Sequence, residues 1–192
     1  MESKSRNLKT NNSHLEMKVN LRLNNLPEKD NLCVLDAYAG KGLVWNTVKK
    51  RTAKKIKVLQ VDKVDHPNVD IITNNLKVLS GINLSRFDII DLDAYGCPFA
   101  QLQILFNHNY TGRVFVTYIQ THHGALPHGI LKQSGFTKEM ISKSTTLFYK
   151  NPMQVMEQYL ANNGIFSYSI KYVDRKHYMW FDVPYIKEIQ ND

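Results

Sequence analysis

Apolar and polar residues alternate from Leu15 through Met17, Val19 and Leu21 to Leu23, the period of a half-buried strand, although a short helix ahead of the core also fits. After a turn over Asn24 to Asn31, a continuous apolar run passes through Cys33, Val34 and Leu35 into Asp36, as in a strand buried on both faces. Leu43, Val44, Thr47 and Val48 then set a helical stripe in a segment reaching about Lys54. Ile56 to Asp62 reads as a second strand, Val69 to Thr73 as a short third and Phe87 to Asp93 as a fourth. Pro98 suits the first turn of a helix through Leu102, Leu105 and Phe106, and Gly112 to Ile119 forms a fifth strand. Thr137 to about Leu160 is helical with a break near Asn151-Pro152, and Met153, Met156 and Leu160 fall at core spacing. Two aromatic runs, Ile165 to Val173 and His177 to Ile186, flank Asp174-Arg175-Lys176 as an antiparallel hairpin. The alternation of strands and helices predicts an α/β fold. It is Rossmann-like and doubly wound, a mostly parallel sheet with a C-terminal antiparallel hairpin.

Composition adds limits. A chain of 192 residues with 43% hydrophobic content is expected to form a single domain over residues 14–192, behind a mobile polar tail at 1–13. No apolar run approaches the roughly 20 residues of a membrane helix, and Met1 to Arg6 lack the apolar centre of a secretory signal. A soluble, cytoplasmic protein without membrane partners is therefore expected. Cys33 and Cys97 fall at opposite ends of neighbouring predicted strands, so two free thiols are expected. The sequence leaves the oligomeric state open.

Charge changes the picture more. The formal net charge is +8, and Lys41, Lys49, Lys50, Arg51, Lys54, Lys55 and Lys57 lie together with no acid among them. Such a field attracts a polyanion, so Lys49, Lys50 and Arg51 are candidate contacts to nucleic acid, RNA in preference to DNA. A solvated helix end, whose cations complement the dipole, is the plainer alternative.

The candidate chemistry starts where the first strand ends. Asp36, three residues, Gly40, one residue and Gly42 place two glycines at a strand-to-helix turn, where free N–H groups favour a small anionic or nucleoside ligand. The dinucleotide fingerprint needs a third glycine where this chain has Trp45, which argues against NAD or FAD. Asp62 closes the second strand about twenty residues on, the distance at which a carboxylate accepts ribose hydroxyls. This order resembles motif I of the class I S-adenosylmethionine-dependent methyltransferases. The resemblance implies S-adenosyl-L-methionine as cofactor, held by Asp36, Tyr38, Gly40, Gly42 and Asp62, with Asn74 or Asn75 beside the adenine.

Asp93-Ala94-Tyr95-Gly96-Cys97-Pro98 sits where those enzymes carry motif IV. It is similar to the Asp, Pro, aromatic, Gly, small, Pro run of the tRNA guanine-N2 dimethyltransferases and departs from it at Ala94. An exocyclic amine is a poor nucleophile, so a carboxylate at Asp93 accepting its hydrogen would stabilise the charge that develops as the methyl arrives. Tyr95 would stack on the base. Gly96 and Pro98, with His122 and His123 from the next loop, are the remaining substrate-contact candidates. The three histidines at 122, 123 and 128 come with no cysteine and no helical His-x-x-x-His pair, so no metal is expected. The expectation is an RNA N-methyltransferase with guanine N2 as leading target. A same-fold enzyme acting on DNA, protein or a small amine, and a catalytically silent RNA-binding subunit, stand as alternatives.

Overall fold

Val34, Leu35, Ile89, Ile90, Val114 and Phe115 are fully shielded from solvent, so the strands that carry them form the middle of the sheet. The computed structural model describes residues 14–94, 96–118, 128–143, 152–174 and 176–185. Strands β1 (Asn31–Asp36), β2 (Lys55–Asp62), β3 (Ile71–Ile72), β4 (Ile89–Leu92) and β5 (Gly112–Tyr118) are parallel. The hairpin of β6 (Ser169–Val173) and β7 (Lys176–Val183) closes the sheet, β7 running antiparallel to both β5 and β6. The order is β3-β2-β1-β4-β5-β7-β6. Chain order therefore reverses between β1 and β4, and the crevice at their carboxyl ends is the place where such sheets bind ligands.

Successive side chains of a strand face opposite ways, which splits the core in two. On one side Val34, Ile89 and Phe115 pack with Val19 of α1 (Leu15–Leu23) and with Trp45 and Val48 of α2 (Leu43–Arg51). On the other, Leu35, Ile90 and Val116 join a larger cluster. It takes in Val78 and Leu79 of α3 (Asn75–Gly81), Leu102 and Leu105 of α4 (Phe99–Asn107) and Leu131 of α5 (His128–Gln133). Ile141 of α6 (Lys138–Lys143) and Met156 and Leu160 of α7 (Pro152–Asn162) complete it.

The alternating segment before β1 is a helix and not the half-buried strand expected. Nine residues are too few to separate the two periods, since Leu15, Val19 and Leu23 recur every four as well as every two. What decides between them is burial of Val19 and Arg22, three apart on the face that meets α2 and the sheet. The hairpin forms as expected: Val173 pairs with Lys176, and Asp174 takes a left-handed φ of 48° in the two-residue connection. No disulfide links Cys33 and Cys97, as expected. Among the described residues no helix is long and apolar enough to cross a membrane.

Candidate active site

Asp36 and Asp91 are direct partners in the β1–β4 register, so two acids meet where the strand order reverses. Next to them the glycine turn has the backbone that its sequence requires. Gly40 and Gly42 adopt φ of 52° and 68°, and the Gly42 N–H donates to the Ala39 carbonyl at 2.7 Å. The Asp62 carboxylate accepts from the Gly40 N–H at 2.8 Å and from the Val64 N–H at 2.9 Å, tying the end of β2 to the turn. Two of its roughly four lone-pair positions stay available for ligand hydroxyls.

A Cβ built on Gly42 would stand 2.5 Å from Gln60 Nε2. That amide is buried and has no hydrogen-bond partner among the described residues. A cradle too tight for a Cβ, an unsatisfied donor and a carboxylate with spare acceptor capacity fit a nucleoside-bearing ligand. Gly42→Ala is expected to cost about 1–2 kcal/mol, since it forces alanine into the left-handed region against Gln60, read as a lowered urea midpoint.

Asn74 and Asn75 have structural duties. Asn74 caps α3, its side-chain oxygen accepting from the Leu76 N–H at 2.9 Å. The Asn75 amide donates to the Ala37 carbonyl at 2.9 Å and accepts from Gln101 Nε2 at 3.0 Å, bracing the β1–α2 turn against α3 and α4. Tyr38 packs half-buried against the larger core cluster, and burial raises its phenol above the ordinary value.

Helix α1 supplies what the sequence reading left out. Its start lies at the carboxyl edge, and one face reaches Asp91 of β4 and Asp93 just beyond it. Arg22 grips Asp91 with two hydrogen bonds, 2.9 and 2.7 Å, and Trp45 Nε1 donates to the same carboxylate at 2.8 Å. The indole thus occupies the place of the third fingerprint glycine and satisfies a buried charge. One turn earlier, Lys18 pairs with Asp93 Oδ2 at 2.6 Å, while the Thr117 hydroxyl donates to Oδ1. Burial by itself raises the Asp93 carboxyl. Lys18 and Arg22, with Thr117, outweigh it and hold the group below its usual value, so Asp93 is ionised at neutral pH.

Asp36 is the converse. Burial, then Asp91 and Asp93, push its carboxyl well above the usual range, and it forms no ion pair among the described residues. An acid raised in the folded state contributes stability below its unfolded pKa of about 3.9 and loses it as pH rises through the folded value. Asp36→Asn is therefore expected to raise the melting temperature at pH 7 and above. The gain should shrink towards pH 4, a profile that thermal melts across pH will read.

Of the other expected contacts, Gly96 is half-buried at φ 131° with open space where a Cβ would stand. Pro98 is the N-cap of α4, one residue ahead of the expected first turn. Tyr95, His122 and His123 lie outside the described residues. Lys49, Lys50 and Arg51 are not brought to the crevice. They end α2 just before Lys55, which pairs with Asn31 at the start of β1, so the basic run lies at the amino edge of the sheet. Arg51 is moreover paired with Glu16 through both carboxylate oxygens. Among the described residues no group of His, Cys, Asp and Glu is placed to hold a metal ion.

No family model and no curated protein matches the sequence. Solved structures do match the fold. A SAM-dependent methyltransferase from Archaeoglobus fulgidus superposes with a TM-score of 0.52 at 11% identity, over 88% of this chain and 94% of that one. The CurJ carbon methyltransferase gives 0.53 at 9% identity, over 86% of this chain and 54% of that one. The fold is that of the class I methyltransferases.

Lys18, Arg22 and Asp91 are the site residues the sequence reading missed. The Asp91-Leu92-Asp93 spacing put two acids on one strand face, which calls for buried cations from somewhere, but no local pattern points to α1 as their source.

Proposed function

We propose that this protein is an S-adenosylmethionine-dependent N-methyltransferase acting on an exocyclic amine of a nucleic-acid base, RNA in preference to DNA and guanine N2 first. The observation that carries the reading is the convergence at one strand-order reversal of the glycine turn with Asp62 and the motif IV acid Asp93. The methyltransferase fold supports the cofactor class. The net charge of +8 and the Asp93 to Pro98 run support the substrate class.

Bound at the glycine turn, the cofactor would supply a methyl group on an already activated sulfonium carbon, so the protein's task is alignment and exclusion of water. Asp62 would accept the ribose hydroxyls, and Gln60 would donate to a polar atom of the ligand. Asp93, kept ionised by Lys18 and oriented by Thr117, retains lone pairs for an amine hydrogen and favours the positive charge that develops on the nitrogen. Because its carboxyl is held low, Asp93 acts as a hydrogen-bond acceptor and not as a proton store at neutral pH.

The test is incubation of the protein with RNA and methyl-labelled cofactor, followed by mass spectrometry of the nucleosides. Label on guanosine N2 is the expected result. Label on adenosine would move the target atom, and incorporation into added protein but not RNA would overturn the substrate class.

A further inference from the structure

Asp36, Asp91 and Asp93 meet where the strand order reverses, and the cations that answer them come from one helix. Asp91 has Arg22, and Asp93 has Lys18, one turn earlier on α1. The Arg22 guanidinium also donates to the Lys18 carbonyl at 3.3 Å, so the turn that presents Lys18 is held by the buried Arg22–Asp91 pair. That inner pair already anchors α1 to the sheet. The outer pair differs in access: the side chains of Lys18 and Asp93 are 13% and 14% exposed, against 1% and 2% for Arg22 and Asp91. The outer pair is the one an incoming amine can reach.

An amine that meets Asp93 meets Lys18 with it. Lys18 Nζ stands 2.6 Å from Oδ2 and the Thr117 hydroxyl donates to Oδ1. A nitrogen bonded to the same carboxylate would therefore stand roughly 5 Å from the ammonium, two hydrogen-bond lengths across a shared acceptor. A second cation at that distance in a partly buried site is repelled, whereas a neutral amine is not. Proton transfer gives an ammonium no relief here. Burial raises the Asp93 carboxyl, but Lys18 and Arg22 outweigh it and hold the group below its usual value, which makes it a poor acceptor for an ammonium proton. An aliphatic amine, with a pKa of about 10.4, has on the order of one molecule in 10³ with a free lone pair at pH 7. Amines conjugated to a ring or a carbonyl are neutral there. In such an amine the nitrogen lone pair forms the new N–C bond while the C–S pair stays with sulfur, and the acidic cation so formed gives its N–H proton to water without a protein base.

We infer that Lys18 is a specificity-determining residue, which makes the site admit amines that are neutral at pH 7 and reject alkylammonium groups such as a lysine side chain or a polyamine. The inference rests on the N-methyltransferase reading above and adds to it the residue that sets the charge of the substrate. A plain anchor for α1 is the competing account of Lys18.

NMR titration of the folded chain with guanosine and with n-butylammonium chloride, following the backbone amides of Ala94 and Thr117, tests it. Wild type is expected to bind guanosine at least about ten-fold more tightly than butylammonium. Lys18→Met should raise butylammonium affinity about ten-fold or more while changing guanosine affinity less than about three-fold. Lys18→Arg, which keeps the charge, should behave as wild type. Butylammonium binding to wild type as tightly as guanosine would overturn the assignment, and that comparison needs no variant to fold. So would a folded Lys18→Met protein whose affinities for the two probes move together, the result expected of an anchor. Labelled-methyl transfer by wild type separates the two readings. Label on an RNA base with butylammonium bound as well as guanosine removes only the charge filter. Label on a neutral amide of added protein removes only the nucleic-acid substrate, and label on lysine side chains removes both.

Discussion

Arg22→Met will destabilise the protein by about 3–5 kcal/mol, because it leaves the Asp91 carboxylate buried with its cation gone. Arg22 is 1% and Asp91 1% exposed, and the pair is bidentate. The guanidinium also lies over the Phe115 ring, 5.2 Å from its centroid, so apolar contact is lost with the charge. Trp45 alone cannot compensate, since one indole N–H replaces neither the second hydrogen bond nor the positive charge. Urea denaturation will measure the loss. A double variant, Arg22→Met with Asp91→Leu, should recover part of it, because a buried pair exchanged for apolar groups of similar size is close to neutral while the Trp45 Nε1–H loses its acceptor. A loss below about 1 kcal/mol would contradict the role assigned to this pair.

On the proposed function, Asp93→Asn is expected to lower kcat for methyl transfer by about 100–1,000-fold while leaving cofactor affinity within a few fold. The amide keeps the size of the carboxylate but not the charge that stabilises a nitrogen becoming positive. Its NH₂ group would also face the Lys18 ammonium as one donor against another. The split between kcat and cofactor affinity is the informative readout, since a general collapse of the site would move both. Equal losses in both would show that Asp93 shapes the cofactor pocket instead of serving the amine.

The sheet was legible because its strands are long apolar runs closed by acids and separated by stripes of helical period. The Val34 to Gly42 stretch contains the strand, its terminal carboxylate and the turn within nine residues, so local chemistry alone places it. Helix α1 was not legible, since a nine-residue amphipathic segment satisfies two periods and only Asp91 and Asp93, some seventy residues downstream, decide which face turns inward. The place of the basic run was not legible for a related reason. Charge density is visible in sequence, but its position depends on α2 returning antiparallel to β1, which carries Lys49 and Lys50 away from the crevice that Lys41 stays near.

Isothermal calorimetry of S-adenosylmethionine binding to the wild-type chain and to Asp62→Ala tests the central claim most directly. The account predicts a saturable heat from wild type and affinity about 10–100-fold weaker in Asp62→Ala, the worth of hydrogen bonds to a charged acceptor. No heat from a folded wild-type protein, or identical affinity in the two, would contradict it.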